Sequence, residues 1–335
     1  MVDTDIKLGA SLFSFTNEWR LGQYTLESLL ARLAESEIGP GVEVVGFQTI
    51  RDYPRIDGRY ADQFRRLMDR YGRIATCLGA NTDTMRLRSR PMTDPEKITD
   101  LIAQIEVAER LGFPIVRIQI GLSEPVLTAI AEVAERKHLR LGMEIHAPQG
   151  GDTPAVRELR EIYGRIGSSA LGFIADFSST MRGVPSGQLA AFVRQGLSAK
   201  LAATLVECWQ RDDLDIAGRY AEFQRLALAA GAEPGLVGAI RVMFHMFGRQ
   251  TVESWRPILG QVLHVHAKFY EIDAAGDEPS IPYGELLTLF RKGGFRGYFS
   301  SEWEGSAFML STEVDAVSLV ERQHALLRRI GSQSH

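Results

Sequence analysis

Four stretches of the 335-residue chain place acidic or imidazole side chains at the end of an apolar run: LGMEIH with Glu144 and His146, LGFIADFSS with Asp176, QVLHVHAKFYEID with His264, His266 and Lys268, and GYFSSEWEG with Glu302 and Glu304. Read at period two, the third stretch projects His264, His266 and Lys268 to one side and Val265, Ala267 and Phe269 to the other, as a β-strand requires. A core does not accept two imidazoles and an ammonium unless each finds a partner or a metal. Carboxylates brought together from the other stretches would raise one another's pKa unless a cation sat between them. Glu144, Asp176, His266 and Glu302 are therefore expected to converge on one divalent metal. Three oxygen donors and one imidazole suit Mn²⁺, with Co²⁺ or Mg²⁺ as alternatives, better than a thiolate-type zinc site.

Those residues need strands that end side by side. Short apolar runs alternate with stretches of helical spacing along the chain: 6–15 then 25–36, 42–48 then 58–71, 73–81 then 94–111, 115–121 then 123–137, and 139–146 then 153–166. Thr25 is placed to cap its helix and Pro95 to start one. A sixth strand is expected at 171–178, a seventh in 261–273 and an eighth at 297–302, with helices at 283–292 and 312–330. Such alternation implies parallel pairing through right-handed crossovers. The turn after the first strand, Leu8-Gly9-Ala10-Ser11, lacks GxGxxG spacing, which disfavours an open nucleotide-binding sheet. An α/β fold of one domain over 1–335, a closed (β/α)8 TIM barrel with polar groups at the C-terminal strand ends, is the expectation. The rhythm breaks over 182–260, a long helical excursion between strands six and seven. It reads as elaborated barrel helices, or as a lid or subunit interface, the latter because of the run Val242 to Phe247.

With 24% charged and 45% hydrophobic residues the composition is that of an ordinary globular protein, and a formal net charge of -4 argues against a nucleic-acid partner. Two distant cysteines, a start without a basic and apolar leader, and the lack of a long apolar run lead to the expectation of a cytoplasmic protein with no membrane partner.

The order GMEIH, FIADFSS, HVHAKFY, SSEWEG resembles the xylose isomerase-like family of TIM barrels, which includes sugar isomerases and ketose 3-epimerases, and the resemblance covers nearly the whole chain. In that family Glu, Asp, His and Glu hold the metal, and Lys stands two residues after the His. The matching positions are Glu144, Asp176, His266 with Lys268, and Glu302. Many members carry Asp directly after that Lys; Phe269 stands here, so no role of that Asp carries over. Within the family, SLFSFTNEW, His146 two residues beyond Glu144, HAKFYE and SSEWEG resemble the large (alpha) subunit of C-glycoside deglycosidases. That resemblance implies a smaller beta subunit as partner and a hetero-oligomer.

The chemistry these residues support starts from a sugar oxidised at C3, whose C2 hydrogen is acidic. A divalent cation would stabilise the enolate formed by deprotonation, and His146 is the expected base, since imidazole titrates near neutral pH. Loss of the C1 substituent from that enolate cleaves a C-C bond of a 3-oxo-C-glycoside; reprotonation instead would make the protein a sugar isomerase or 3-epimerase. A non-catalytic scaffold barrel is disfavoured because all four candidate ligands are present. Glu144, Glu302 and Lys268 join His146 as expected catalytic groups, Lys268 as an oxyanion stabiliser or an ion-pair partner. Glu43, Gln119 and Glu304 are expected near substrate hydroxyls or in structural polar roles. His264 reads as a hydrogen-bonded barrel residue, and His138, His324 and His335 as solvent-facing. The run Arg86, Arg88, Arg90 reads as a solvated loop or, less favoured, a phosphate site.

Overall fold

The computed structural model describes residues 6–82, 89–307 and 314–333. Its strands are β1 (Lys7–Ser11), β2 (Gly41–Val45), β3 (Ile74–Gly79), β4 (Ile115–Ile118), β5 (Arg140–Ile145), β6 (Leu171–Asp176), β7 (Val262–Phe269) and β8 (Tyr298–Trp303). They pair in parallel in sequence order, and β8 closes on β1 with Lys7 opposite Tyr298 and Ala10 opposite Ser301. The expected (β/α)8 barrel is thus formed. Every residue of β2 and of β6 is buried, as strands covered by helices on one side and by the barrel interior on the other must be.

Helix limits follow local capping. Asp94–Leu111 is bracketed by a Thr93–Glu96 capping box and by Gly112, whose φ of 85° only glycine adopts without strain. Thr25 caps Leu26–Glu35 by accepting the Ser28 N–H at 3.1 Å. The first two strands are shorter than their apolar runs suggest. After β1 the chain turns into a 3-10 helix, Leu12–Phe15, and after β2 into a helical turn, Gly46–Thr49. A Cβ at Gly46 would lie 2.3 Å from the Tyr53 ring, so the turn needs glycine there. Leu12, Ser14 and Phe15 stay buried in the first turn and Phe47 is exposed in the second, so hydrophobicity alone did not mark where the strands end.

Between β6 and β7 run the helices Ser186–Arg194, Ala199–Trp209, Ile216–Ala229, Pro234–Ile240 and Met243–Met246, followed by 3-10 turns over Val252–Gln261. The apolar run that favoured the lid or interface reading over elaborated barrel helices is mostly internal: Met243, Phe244 and Phe247 are buried, with Phe244 against Tyr220 and Phe223, and only Val242 is largely exposed among its large apolar residues. The insertion is stitched to the chain just after β6 by Gly248 N–H to Ser178 O (2.8 Å) and Trp255 Nε1–H to Thr180 Oγ1 (2.8 Å). No helix among the described residues is long and apolar enough to cross a membrane.

His324 corrects another expectation. It is fully buried; its Nδ1 accepts the Gly39 N–H at 2.9 Å and its Nε2 donates to Gly9 O at 3.0 Å, tying the last helix, Ala316–Gln333, to the middle of β1 and to the chain just before β2. Burial pushes its pKa down to about 4, so the ring stays neutral. His138 is exposed as expected, Arg90 is paired with Glu96 at 2.8 Å, and Arg86, Arg88 and His335 lie outside the described residues.

The connection after β7 holds a carboxyl that makes stability pH-dependent. Glu278 Oε2 accepts the N–H groups of Ser280 and Ile281 at 2.8 and 2.6 Å, while the buried Oε1 has no hydrogen-bond partner. Burial outweighs those two bonds and, with Glu271 nearby, pushes the pKa from 4.5 up to about 8. The folded state then keeps a proton that the unfolded state releases, so this group's contribution falls as pH rises from 4.5 towards 8 and is level above that. A tenfold difference in proton affinity between folded and unfolded states corresponds to about 1.4 kcal/mol. Glu278→Gln mimics the protonated form, so its melting temperature should fall less between pH 5 and pH 8 than that of the unmodified chain, by an amount on the order of a few kcal/mol in stability. Parallel declines in both proteins would rule out Glu278 as the source.

Candidate metal centre at the barrel mouth

The strands put the predicted ligands side by side. Asp176, the last residue of β6, is in register with His266 on β7, and Lys268 is in register with Glu302 on β8. Glu144 is the penultimate residue of β5. One ligand atom from each of Glu144, Asp176, His266 and Glu302 can be chosen so that all four lie within 4.8 Å of one another. His266 Nδ1 lies 2.8 Å from Glu144 Oε1, 3.3 Å from Glu302 Oε2 and 3.9 Å from Asp176 Oδ2. Asp176 Oδ1 accepts the Ser178 N–H at 2.7 Å, which leaves Oδ2 turned to the cluster.

Two cations border the group. Lys268 Nζ is 2.7 Å from Glu302 Oε2, 3.1 Å from Glu304 Oε2 and 3.2 Å from Asp176 Oδ2, and it sits over the Phe13 ring. Burial works against its charge, but Asp176 and Glu302 hold its pKa well above the ordinary lysine value. Arg117 on β4, which sequence reasoning missed, is the other: its Nε is 3.6 Å from Glu144 Oε2 and its Nη1 donates to Ala80 O at 3.3 Å. Gly79 makes room for it, since a Cβ there would lie 3.0 Å from the guanidinium. The available signal was its spacing, two residues before Gln119 and therefore on the same strand face.

The remaining candidates divide by depth. Of the two roles open to Glu43, substrate contact is ruled out by its full burial and the structural polar role is taken: it is 2.9 Å from His264 Nε2 and 3.0 Å from His266 Nε2, so its carboxylate is held by two imidazoles. His264 is the hydrogen-bonded barrel residue expected. Gln119 is half-buried just past β4, and its Oε1 accepts the Thr82 N–H at 3.2 Å. Glu304 is half-buried at the rim, on Lys268. His146 follows β5 and is exposed; its Nδ1 lies 2.6 Å from Ala147 O. A carbonyl only accepts, so Nδ1 carries a hydrogen and Nε2 is the nitrogen turned away from this bond.

The charges test whether a metal fits. Glu43, Glu144, Asp176, Glu302 and Glu304 face only two permanent cations among the described residues, Arg117 and Lys268. Despite burial, Arg117 and His266 hold Glu144 down at about 2, and Lys268 and His266 hold Asp176 well below the usual carboxylate range. Glu302 goes the other way: burial, with Asp176 and Glu144 adding to it, outweighs His266 and Lys268 and raises its pKa. Its buried Oε2, although close to Lys268, has no aligned hydrogen-bond donor. With protein charges alone the negative charge at Glu302 is thus incompletely compensated. A divalent cation among these four groups would supply the missing charge, and an O,O,O,N donor set matches one.

Residues 36–200 match the family described as the xylose isomerase-like TIM barrel. The chain is 40% identical over 325 residues to a C-glycoside deglycosidase alpha subunit of Arthrobacter globiformis, covering 97% of this chain and 92% of that one. It is 33% identical over 332 residues to a 3'-dehydrocarminate deglycosidase alpha subunit of a Microbacterium species, covering 97% and 95%. Among solved structures, a D-tagatose 3-epimerase-like protein superposes with a TM-score of 0.57 at 17% identity, covering 98% of this chain and 99% of that one, a likeness of fold. Strand order and sequence agree: the chain belongs to the C-glycoside deglycosidase alpha-subunit family of xylose isomerase-like TIM barrels, enzymes that process sugars.

Proposed function

We propose that this chain is the catalytic subunit of a divalent-metal-dependent lyase that cleaves the C-C bond of 3-oxo-C-glycosides. One observation carries the reading: Glu144, Asp176, His266 and Glu302 converge at a barrel mouth where His146 stands exposed, two residues along the same strand end. The family relatives' names supply the substrate class and, through the word subunit, a partner; we take that partner to be a smaller beta subunit, in a cytoplasmic hetero-oligomer.

Mn²⁺ suits the donor set best, and when bound it would supply Lewis-acid stabilisation of negative charge developing on the sugar's C3 oxygen. His146 Nε2 takes the C2 proton, and the C-H electron pair moves into the C2-C3 bond as the carbonyl becomes an enolate. The carbonyl re-forms, a C1-C2 double bond appears, and the C1-aglycone bond breaks with its pair going to the aglycone carbon, which is then protonated. His146 is suited to its step because its Nδ1-H points to Ala147 O and the opposite nitrogen is free to accept. That loop is held in place by Ala147 N–H to Ser178 Oγ (3.3 Å) and by Gln250 Nε2–H, from the insertion, to Pro148 O (3.0 Å). Lys268, gripped by three carboxylates, keeps Glu302 and Asp176 oriented and adds positive potential at the mouth.

Elemental analysis tests the reading first. The purified chain, stripped with chelator and then dialysed against Mn²⁺, should hold about one ion and melt at a higher temperature than the stripped form. Turnover of a 3-oxo-C-glycoside should then require the ion and be enhanced by the beta subunit. Exchange of the C2 hydrogen with solvent and recovery of an epimer, without cleavage, would replace the lyase reading by the isomerase one.

A further inference from the structure

Glu43 lies beneath the carboxylate cluster, sealed from solvent. His264 Nε2 is 2.9 Å from its Oε2, and His266 Nε2 is 3.0 Å from Oε1 and 3.1 Å from Oε2. An ionised carboxylate only accepts, so both imidazoles donate to it through Nε2. For His266 this orients the ring with Nδ1 towards Glu144, Glu302 and Asp176. His264 Nδ1 has no hydrogen-bond partner among the described residues, so this ring is anchored through Nε2.

We propose that Glu43 is a positioning residue for the metal: by accepting the His266 Nε2–H it fixes the ring orientation and tautomer in which Nδ1 is presented to the ion, and His264, as second donor, keeps the carboxylate from turning away. The proposal rests on the metal reading above. Partners of this kind on the far nitrogen of a ligating histidine set both its direction and its basicity. The same three side chains also lie close enough together to form a metal group of their own. Their separations of 2.9 to 3.1 Å are those of hydrogen bonds, and all three are fully buried.

The test uses the full chain, stripped of metal and titrated with Mn²⁺, together with proton NMR of the buried imidazole N–H groups. Glu43→Gln turns an amide NH₂ towards one of two N–H donors and should weaken Mn²⁺ binding about 10- to 100-fold. Adding His264→Gln lets the second introduced carbonyl accept from that amide, which frees the amide carbonyl at position 43 for the His266 Nε2–H. The double variant should therefore recover to within about threefold of the unmodified chain. That recovery distinguishes positioning from a general structural need, and it carries the test even where Glu43→Gln alone does not fold. Unchanged affinity in Glu43→Gln, no recovery in the double variant, or two ions per unmodified chain would each overturn the proposal. If the unmodified chain binds no ion, the metal reading fails, and Glu43 is judged by NMR. A downfield His266 Nε2–H resonance that Glu43→Gln moves upfield supports its hold on the ring, and a resonance that does not move refutes it.

Discussion

His266→Ala is expected to abolish metal uptake and turnover together. The ring is the one nitrogen donor among the four candidate ligands, and it touches carboxylates on both sides: Glu43 through Nε2, Glu144 and Glu302 through Nδ1. Burial disfavours its charge, yet Glu302, Glu43 and Glu144 together hold its pKa well above 6.5 in the protein alone. The alanine variant leaves Glu43 with one donor and three carboxylates facing each other across a void. Removing one partner of a buried charged pair costs about 3–5 kcal/mol. The variant should therefore melt well below the unmodified protein, with less than about a tenth of an ion per chain after Mn²⁺ dialysis, since binding free energy and folding are coupled at such sites. Elemental analysis and thermal melts read both effects. A variant that still holds one ion per chain would remove His266 from the ligand set and sink the proposed centre.

The opposite pattern is expected of His146→Ala. His146 is exposed beyond the end of β5, and its hydrogen bond is to the neighbouring Ala147 carbonyl, so stability and ion content should be unchanged to within about 0.5 kcal/mol and measurement error. Loss of a positioned general base, by contrast, lowers turnover by roughly 10²- to 10⁴-fold. Exchange of the substrate's C2 hydrogen with deuterated solvent should fall in parallel, because deprotonation precedes cleavage. Steady-state rates with saturating 3-oxo-C-glycoside and an exchange experiment check the two halves. Full turnover in His146→Ala would exclude it as the base, and lost turnover with exchange intact would move its role to protonation of the aglycone. Taken together, the two variants separate holding the ion from moving the proton.

Much of this centre is written locally in the chain. His264, His266 and Lys268 share a strand face because β7 has a period of two, and the strand's placement before an acidic segment follows from its own residues. Glu144, Asp176 and Glu302 each end an apolar run that can only be a buried parallel strand, and the alternation of such runs with helices requires crossovers of one hand. The helix Asp94–Leu111 has its limits in Thr93, Glu96 and Gly112, all local to the helix itself. The strand-and-helix alternation, the candidate ligands and the position of the candidate base therefore follow from short-range patterns.

Other features depend on which faces meet, and no local pattern encodes that. Glu43 was legible as a polar residue in β2, but its role is set by barrel closure, which brings it to two histidines 221 and 223 residues away. Arg117 went unread within the apolar run 115–121, and its role appears only where the barrel places it beside Glu144. His324 reads as a solvent-facing residue on its helix, and only the docking of that helix on the barrel makes it a buried link between Gly39 and Gly9. The run Val242 to Phe247 is apolar in either setting, and the neighbouring helices, through Tyr220 and Phe223, decided that it faces inward. The reason is the same in each case. Backbone periodicity fixes the direction a side chain leaves its own element, whereas its partner, its burial and hence its charge state depend on the element that closes over it.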